Sequence, residues 1–179
     1  SREVTVAASV SEEQSSDKSR ASGTYSASFE VLIKEALATS VSSVTEEELG
    51  RFKYLSMRKG EAGWMITYSF ENPIVAAEQG QDTDINVVVC QEALDIQDIA
   101  ALPQLEYLNL DHTELPEGSL ETLSSLKMIT CDYIQLDMLR LALGDAAKGL
   151  ERLNASHLKS LEELSYFPGL KSLEMEDCR

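Results

Sequence analysis

Apolar residues between Leu102 and Cys178 recur in one fixed phrase. Leu102-x-x-Leu105-x-x-Leu108-x-Leu110 is the first copy and Leu123-x-x-Leu126-x-x-Ile129-x-Cys131 the second. Ala147-x-x-Leu150-x-x-Leu153-x-Ala155 and Phe167-x-x-Leu170-x-x-Leu173-x-Met175 complete the set. Their central positions 108, 129, 153 and 173 lie 21, 24 and 20 residues apart, and one step of 20 back from Leu108 reaches Val88 in Ile85-Asn86-Val87-Val88-Val89-Cys90. A copy this short cannot bury its own apolar side, so the copies must stack. The shared register predicts strands near 86–90, 106–110, 127–131, 151–155 and 171–175, paired parallel in sequence order, with Leu108, Ile129, Leu153 and Leu173 in one buried ladder.

Before the repeats the pattern changes. Phe29, Leu32, Ile33, Ala36 and Leu37 follow helical spacing and predict an amphipathic helix. Thr45-Glu46-Glu47-Glu48 reads as a capping box, with Val44 and Leu49 placed for a hydrophobic staple and Gly50 as the stop. Phe52–Met57 alternates as a strand, Arg58–Gly63 reads as a turn, and Trp64–Phe70 is rich in aromatic and branched residues, so the two runs suit a hairpin. Glu71–Asp84 reads as a loop with room for one helical turn. Leu136, Leu139, Leu143, Ala146, Ala147 and Leu150 predict a helix, although Leu136-x-x-Leu139-x-Leu141 mimics the strand phrase. A strand there would begin only ten residues after Leu126, too soon for another copy.

A period of 20 to 29 with this spacing resembles the leucine-rich repeat. The order Phe29–Leu37 helix, Thr45–Leu49 turn and Tyr54-Leu55 strand resembles the N-terminal cap of bacterial surface proteins of the internalin-like group. The resemblance covers about residues 29–178. It implies an α/β leucine-rich-repeat solenoid with a parallel sheet on its concave face and a helix-plus-hairpin cap. The domain expectation is a Ser-rich tether over 1–24, a cap over 25–84 and repeats over 85–179. One departure bears on regularity. Where this family places an Asn that bonds backbone inside each turn, this chain has Thr113, Ile134, Leu158 and Cys178. Leu and Ile cannot accept those bonds, so an irregular solenoid is expected.

Composition narrows the partners. The net charge is −16, from 31 acids and 15 bases, which weighs against nucleic acid because phosphate binding needs clustered cations. A basic partner and simple solubility are the two readings of such acidity. No apolar run reaches 18 residues, so no membrane span is expected. Residues 1–24 hold seven serines and no aromatic residue, too little apolar surface to offset ordering, and read as a tether of the kind seen on surface-anchored or lipid-anchored bacterial proteins. The expected location is therefore extracellular or at the cell surface. Cys90, Cys131 and Cys178 read as small buried apolar residues. With one repeat between them, Cys90 and Cys131 would stand about 9.6 Å apart, beyond disulfide reach.

No catalytic constellation is legible. His112 and His157 have no partner at metal-ligand spacing, and no nucleophile elbow, phosphate loop or Cys-x-x-Cys occurs. Asp82-Thr83-Asp84 opens like a calcium loop but lacks the sixth-position Gly, and Ala93 takes the place of the bidentate Glu. Asn154-Ala155-Ser156 is a formal glycosylation sequon inside an expected core strand. No enzyme, cofactor or metal is expected.

What remains is the outward face of the strands. Alternation puts Val87, Val89 and Gln91 outward in the first row, Tyr107, Asn109 and Asp111 in the second, and Met128, Thr130 and Asp132 in the third. Arg152, Asn154 and Ser156 follow, then Ser172, Glu174 and Glu176. Val87, Val89, Tyr107 and Met128 would form an apolar cluster beside a polar, acidic rim, the usual build of a protein-binding patch. Cover of Val87 and Val89 by the cap or hairpin is the alternative. The functional expectation is a non-enzymatic module that recognises a protein with this face, a basic one on the first reading of the acidity. The other reading is a structural role in which the chain self-associates weakly through an open edge at Leu170–Met175.

Overall fold

A computed structural model describes residues 25–111, 114–157 and 161–175, with side chains outside the description at 132–134, 155–157, 161 and 175. The expectations placed on residues 1–24, His112, Thr113, Leu158, Glu176 and Cys178, and on the side chains of Asp132, Ile134, Ser156 and His157, lie outside the described residues.

Five α-helices and seven strands are described: α1 (Ala27–Leu37), α2 (Glu46–Leu49), β1 (Tyr54–Lys59), β2 (Trp64–Ser69), α3 (Pro73–Glu78), β3 (Asn86–Cys90), α4 (Ile96–Ala100), β4 (Tyr107–Leu110), β5 (Met128–Gln135), α5 (Leu136–Leu143), β6 (Arg152–His157) and β7 (Ser172–Met175). All seven strands join one mixed sheet in the order β3-β2-β1-β4-β5-β6-β7.

This corrects the expected architecture. The chain forms an α/β fold on a mixed sheet, not a leucine-rich-repeat solenoid with an all-parallel sheet. The segment 86–90 is not the first of five parallel strands. β3 lies at the opposite edge, antiparallel to β2, which is antiparallel to β1. Four of the five expected segments do pair parallel in sequence order, and the ladder Leu108–Ile129–Leu153–Leu173 is in register. The reason for the difference is that β4 has one further edge to offer and β1 takes it, with Leu55 opposite Leu108 and Met57 opposite Leu110. Lys53 accepts the backbone N–H groups of both Glu106 and Tyr107 and seals that junction. The hairpin is real, but it is part of the sheet rather than a cap on its end. Gly63 closes its turn with φ +137°, and a Cβ there would stand 2.6 Å from the carbonyl oxygen of Cys90, so the turn tolerates only glycine beside β3.

One side of the sheet carries the core. Leu55, Leu108 and Ile129 are fully buried and Leu153 nearly so, while Leu173 at the edge is only half-buried. Phe29, Leu32 and Ile33 of α1, Leu136, Leu139 and Leu143 of α5, and Leu102, Leu105, Leu123, Leu126 and Leu150 from the connecting segments fill this side. The helix expected at 136–150 is α5, followed by a 3₁₀ segment at Gly144–Gly149. The capping box of α2 is made as expected, with Glu48 N–H donating to Thr45 Oγ1 and Thr45 N–H donating to Glu48 Oε1.

Cys90 and Cys131 are buried, and neither is bridged. They are separated by four strand steps rather than two, about 19 Å at the usual spacing. Burial raises the Cys90 thiol above its ordinary value, opposed by a contact with Ser28.

Asp98 is a fully buried carboxylate in α4. Its Oδ1 accepts from Ser26 N–H at 3.2 Å, and its Oδ2 accepts from Ser26 Oγ at 2.6 Å and Asp95 N–H at 2.8 Å. It thereby ties the N-cap of α1 to the N-cap of α4. Burial pushes this carboxyl above the usual range, and the bonds from Ser26 and Asp95 pull it back in part.

Two predictions follow from this packing. Leu153→Ala should lower stability by about 2–5 kcal/mol in a denaturant melt, and a loss below about 0.5 kcal/mol would remove Leu153 from the core. Asp98 supplies a pH signature. A carboxyl whose pKa is higher folded than unfolded holds its proton more tightly when folded, so its contribution is most favourable at low pH and falls as pH rises through the folded value. The stability of the natural chain minus that of Asp98→Asn should therefore grow as pH is lowered from 7 towards 4. A difference independent of pH would show that the carboxyl is not desolvated.

Candidate functional site

Among the described residues, α3 is the helix placed over the other side of the sheet. With Leu55, Leu108 and Ile129 inward, alternation turns Tyr54, Ser56 and Arg58 of β1, Tyr107 and Asn109 of β4, Met128 and Thr130 of β5, Arg152 and Asn154 of β6 and Glu174 of β7 to this open face. Tyr107, Asn109, Asp111, Met128, Thr130, Arg152 and Asn154 are half-buried, and Glu174 is exposed. Asp132 belongs to β5 by its backbone.

The face is a network of polar side chains around a pair of tilted tyrosine rings. The rings of Tyr54 and Tyr107, opposite one another on β1 and β4, lie 4.9 Å apart. Burial raises the Tyr54 phenol above its ordinary value, the hydrogen bond with Ser56 lowers it, Tyr107 raises it and Arg58 lowers it. Arg58 Nη2 donates to Asn109 Oδ1 at 2.8 Å, and its Nη1 stands 3.9 Å from Asp111 Oδ1. Asn154 Nδ2 donates to Glu174 Oε1 at 3.3 Å. These bonds join the rows of β1 and β4 and of β6 and β7, and side chains already paired have less entropy to lose when a partner binds.

α3 stands against the lower end of this face. Asn72 caps it by accepting from Ile74 N–H, and Pro73 occupies the first helical position, where no N–H is needed. Asn72 Nδ2 donates to Glu106 Oε1 at 3.3 Å, and Glu78 pairs with Arg152. Between helix and sheet lies a cleft of about 290 Å³ lined by Asn72, Ile74, Val75, Glu78, Met128 and Arg152, with Glu106, Lys127 and Glu151 of the lower rim. That rim alternates in sign from strand to strand: Lys53, Glu106, Lys127, Glu151, Lys171. Glu151 meets Lys127 at 3.9 Å and Lys171 at 3.6 Å.

The expected apolar cluster is divided. Val87 and Val89 are not beside Tyr107; β2 and β1 stand between them, so the rows are about 14 Å apart. The two valines are 52% and 50% exposed, so the hairpin lies alongside them and does not cover them. They form a separate strip with Met65 of β2, which pairs directly with Val89. The site residues that sequence reasoning missed are Tyr54, Ser56, Arg58 and Met65, together with Glu78 of α3. The alternation in Phe52–Met57 carried the signal for Tyr54 and Ser56 once β1 has a place beside β4. The Asn72-Pro73 pair carried the signal for α3.

Among the described residues no group of three His, Cys, Asp or Glu side chains is placed to hold a metal, and no helix is long and apolar enough to cross a membrane. No family model matches the chain, and no curated protein matches it.

The network makes a quantitative prediction. A double-mutant cycle of Arg58→Ala and Asn109→Ala should show a coupling of about 0.5–1.5 kcal/mol in thermal or denaturant unfolding. A coupling of zero would mean that the two side chains are not joined in solution.

Proposed function

We propose that this chain is a non-enzymatic binding module that recognises a protein through the open face of its sheet. The observation that carries the reading is asymmetry. Among the described residues, helices cover one side of the sheet, while the other presents an array of hydrogen-bonded Tyr, Arg, Asn and acidic side chains with α3 at its lower end. Aromatic and Arg residues held rigidly at the centre of a patch are the groups that carry binding energy in protein interfaces. The acidic balance of the chain favours a basic partner by long-range attraction. The Ser-rich composition of residues 1–24 supports display outside the cell.

The other role, self-association through Leu170–Met175, draws on β7 being an edge of the sheet. The exposed charges of Lys171 and Glu174 oppose it, because charged side chains on an edge strand disfavour pairing.

Site-specific photocrosslinking in the native cell tests the open-face reading. A photoreactive residue at Asn109 or Thr130 should give discrete protein adducts, and one at the exposed Met138 on α5 should not. Adducts from Met138 alone, or none from the open face, would overturn it.

A further inference from the structure

β3 is an edge strand with an unusual surface. Among the described residues it pairs with β2 and with no other strand. From Ile85 to Gln91 it contains no charge, no Pro and no Gly, in a chain of net charge −16. Edge strands are ordinarily protected by such residues. Beside the open backbone edge, Ile85, Val87 and Val89 are each at least half exposed and Met65 is 42% exposed. The far edge, β7, carries Glu174 and is preceded directly by Lys171, both exposed. The two edges are therefore not equivalent, and β3 is the one built to accept a strand.

Charge decides which strand. The neutral stretch is bounded by exposed acids, Asp84 on one side and Glu92 on the other. A second copy pairing antiparallel about Val88 would bring Asp84 and the partner's Glu92, which flank β3, to the same end of the paired strands, twice. Like charges brought together across paired strands are destabilising. An extended nine-residue peptide with basic residues at both ends, eight positions apart, would meet both acids and lay its apolar side chains beside Val87 and Val89.

We propose that the free edge of β3 takes up an extended segment of a partner protein by strand addition. That segment has apolar alternate residues at its centre and Lys or Arg at both ends. Backbone hydrogen bonds would supply affinity and the Met65–Val87–Val89 strip and the two acids specificity. The proposal deepens the protein-binding reading and rests on it, since it names the partner class that the β3 end of the open face accepts.

The probe is a fluorescein-labelled nonapeptide, Lys-Thr-Gln-Val-Thr-Val-Gln-Thr-Lys, which reads the same in either strand direction. It is titrated against the full chain by fluorescence polarisation. Saturable binding is expected. Two further peptides carry N-methyl groups on alternate amides, one on the odd set and one on the even. Strand addition uses only one set, so one peptide should bind about tenfold more weakly or worse and the other nearly unchanged. Both keep the charge of the parent and so control for simple attraction to an acidic protein. Replacing both Lys by Glu should also weaken binding about tenfold, and Asp84→Lys with Glu92→Lys should restore the Glu peptide.

No binding, equal effects of the two N-methyl sets, or indifference to the end charges would overturn the proposal. Sedimentation showing a dimer that the peptide cannot dissociate would assign the edge to a second copy instead. If the peptide fails while photocrosslinks at Asn109 and Thr130 still form, the edge proposal falls alone. If it binds while those crosslinks are absent, the open-face reading falls.

Discussion

One row of side chains crosses five strands: Leu55, Leu108, Ile129, Leu153 and Leu173, each opposite the next. It joins the hairpin to the repeated phrases and fixes the register of both. A slip of one residue at any pairing would turn Leu108 and Leu110 outward and bring Tyr107 and Asn109 into the core, because side chains alternate along a strand. The open face owes its composition to this row. Tyr54, Arg58, Tyr107 and Asn109 point away from the helices because Leu55 and Leu108 point towards them.

The lower rim reinforces the same register by another means. The carbonyls of Lys53, Glu106, Lys127 and Glu151 each accept two successive backbone N–H groups from the neighbouring segment. The side chains of those residues, with Lys171, alternate in sign. Exposed pairs such as Lys127–Glu151 are worth little in stability. Their effect is on choice. A swap of neighbouring segments would place like charges together, so the alternation favours one strand order over others. Specificity of pairing here comes from polar groups and its driving force from apolar ones.

The sequence makes parts of this arrangement legible and hides others for definite reasons. The parallel pairing of β4 to β7 was readable because those copies are 20 to 24 residues apart and share a register. β1 carries the same phrase, Leu49-x-x-Phe52-x-x-Leu55-x-Met57, but 53 residues separate its centre from that of β4, so no period connects them. The place of β3 was misread for a different reason. Val87-Val88-Val89 is apolar at three successive positions, so it fits an inner strand or an edge strand equally well, and its distance of 20 from Leu108 fits the period by coincidence. The outward turn of Tyr107, Asn109, Met128, Thr130, Arg152, Asn154 and Glu174 was therefore legible, and the distance of the Val87–Val89 row from them was not. Arg58 and Tyr54 escaped notice because their neighbours on β4 come from a segment half a hundred residues away.

The long excursion between β1 and β4 also bears on how the chain is made. Closing a loop of 53 residues costs about 0.8 kcal/mol more in entropy than closing one of 21, so the penalty itself is small. Timing is the larger matter. As the chain leaves the ribosome, β1, β2 and β3 are complete before Tyr107–Leu110 has been added. Until then Leu55 and Met57 sit beside an unsatisfied strand edge, in the middle of what will become the sheet. Synthesis delivers β4 to β7 in the order in which they lie in the sheet, so each could dock on the one before it. The interval before β4 is made is the longest of the series, and an open strand edge in the middle of a sheet is the kind of surface that chaperones protect.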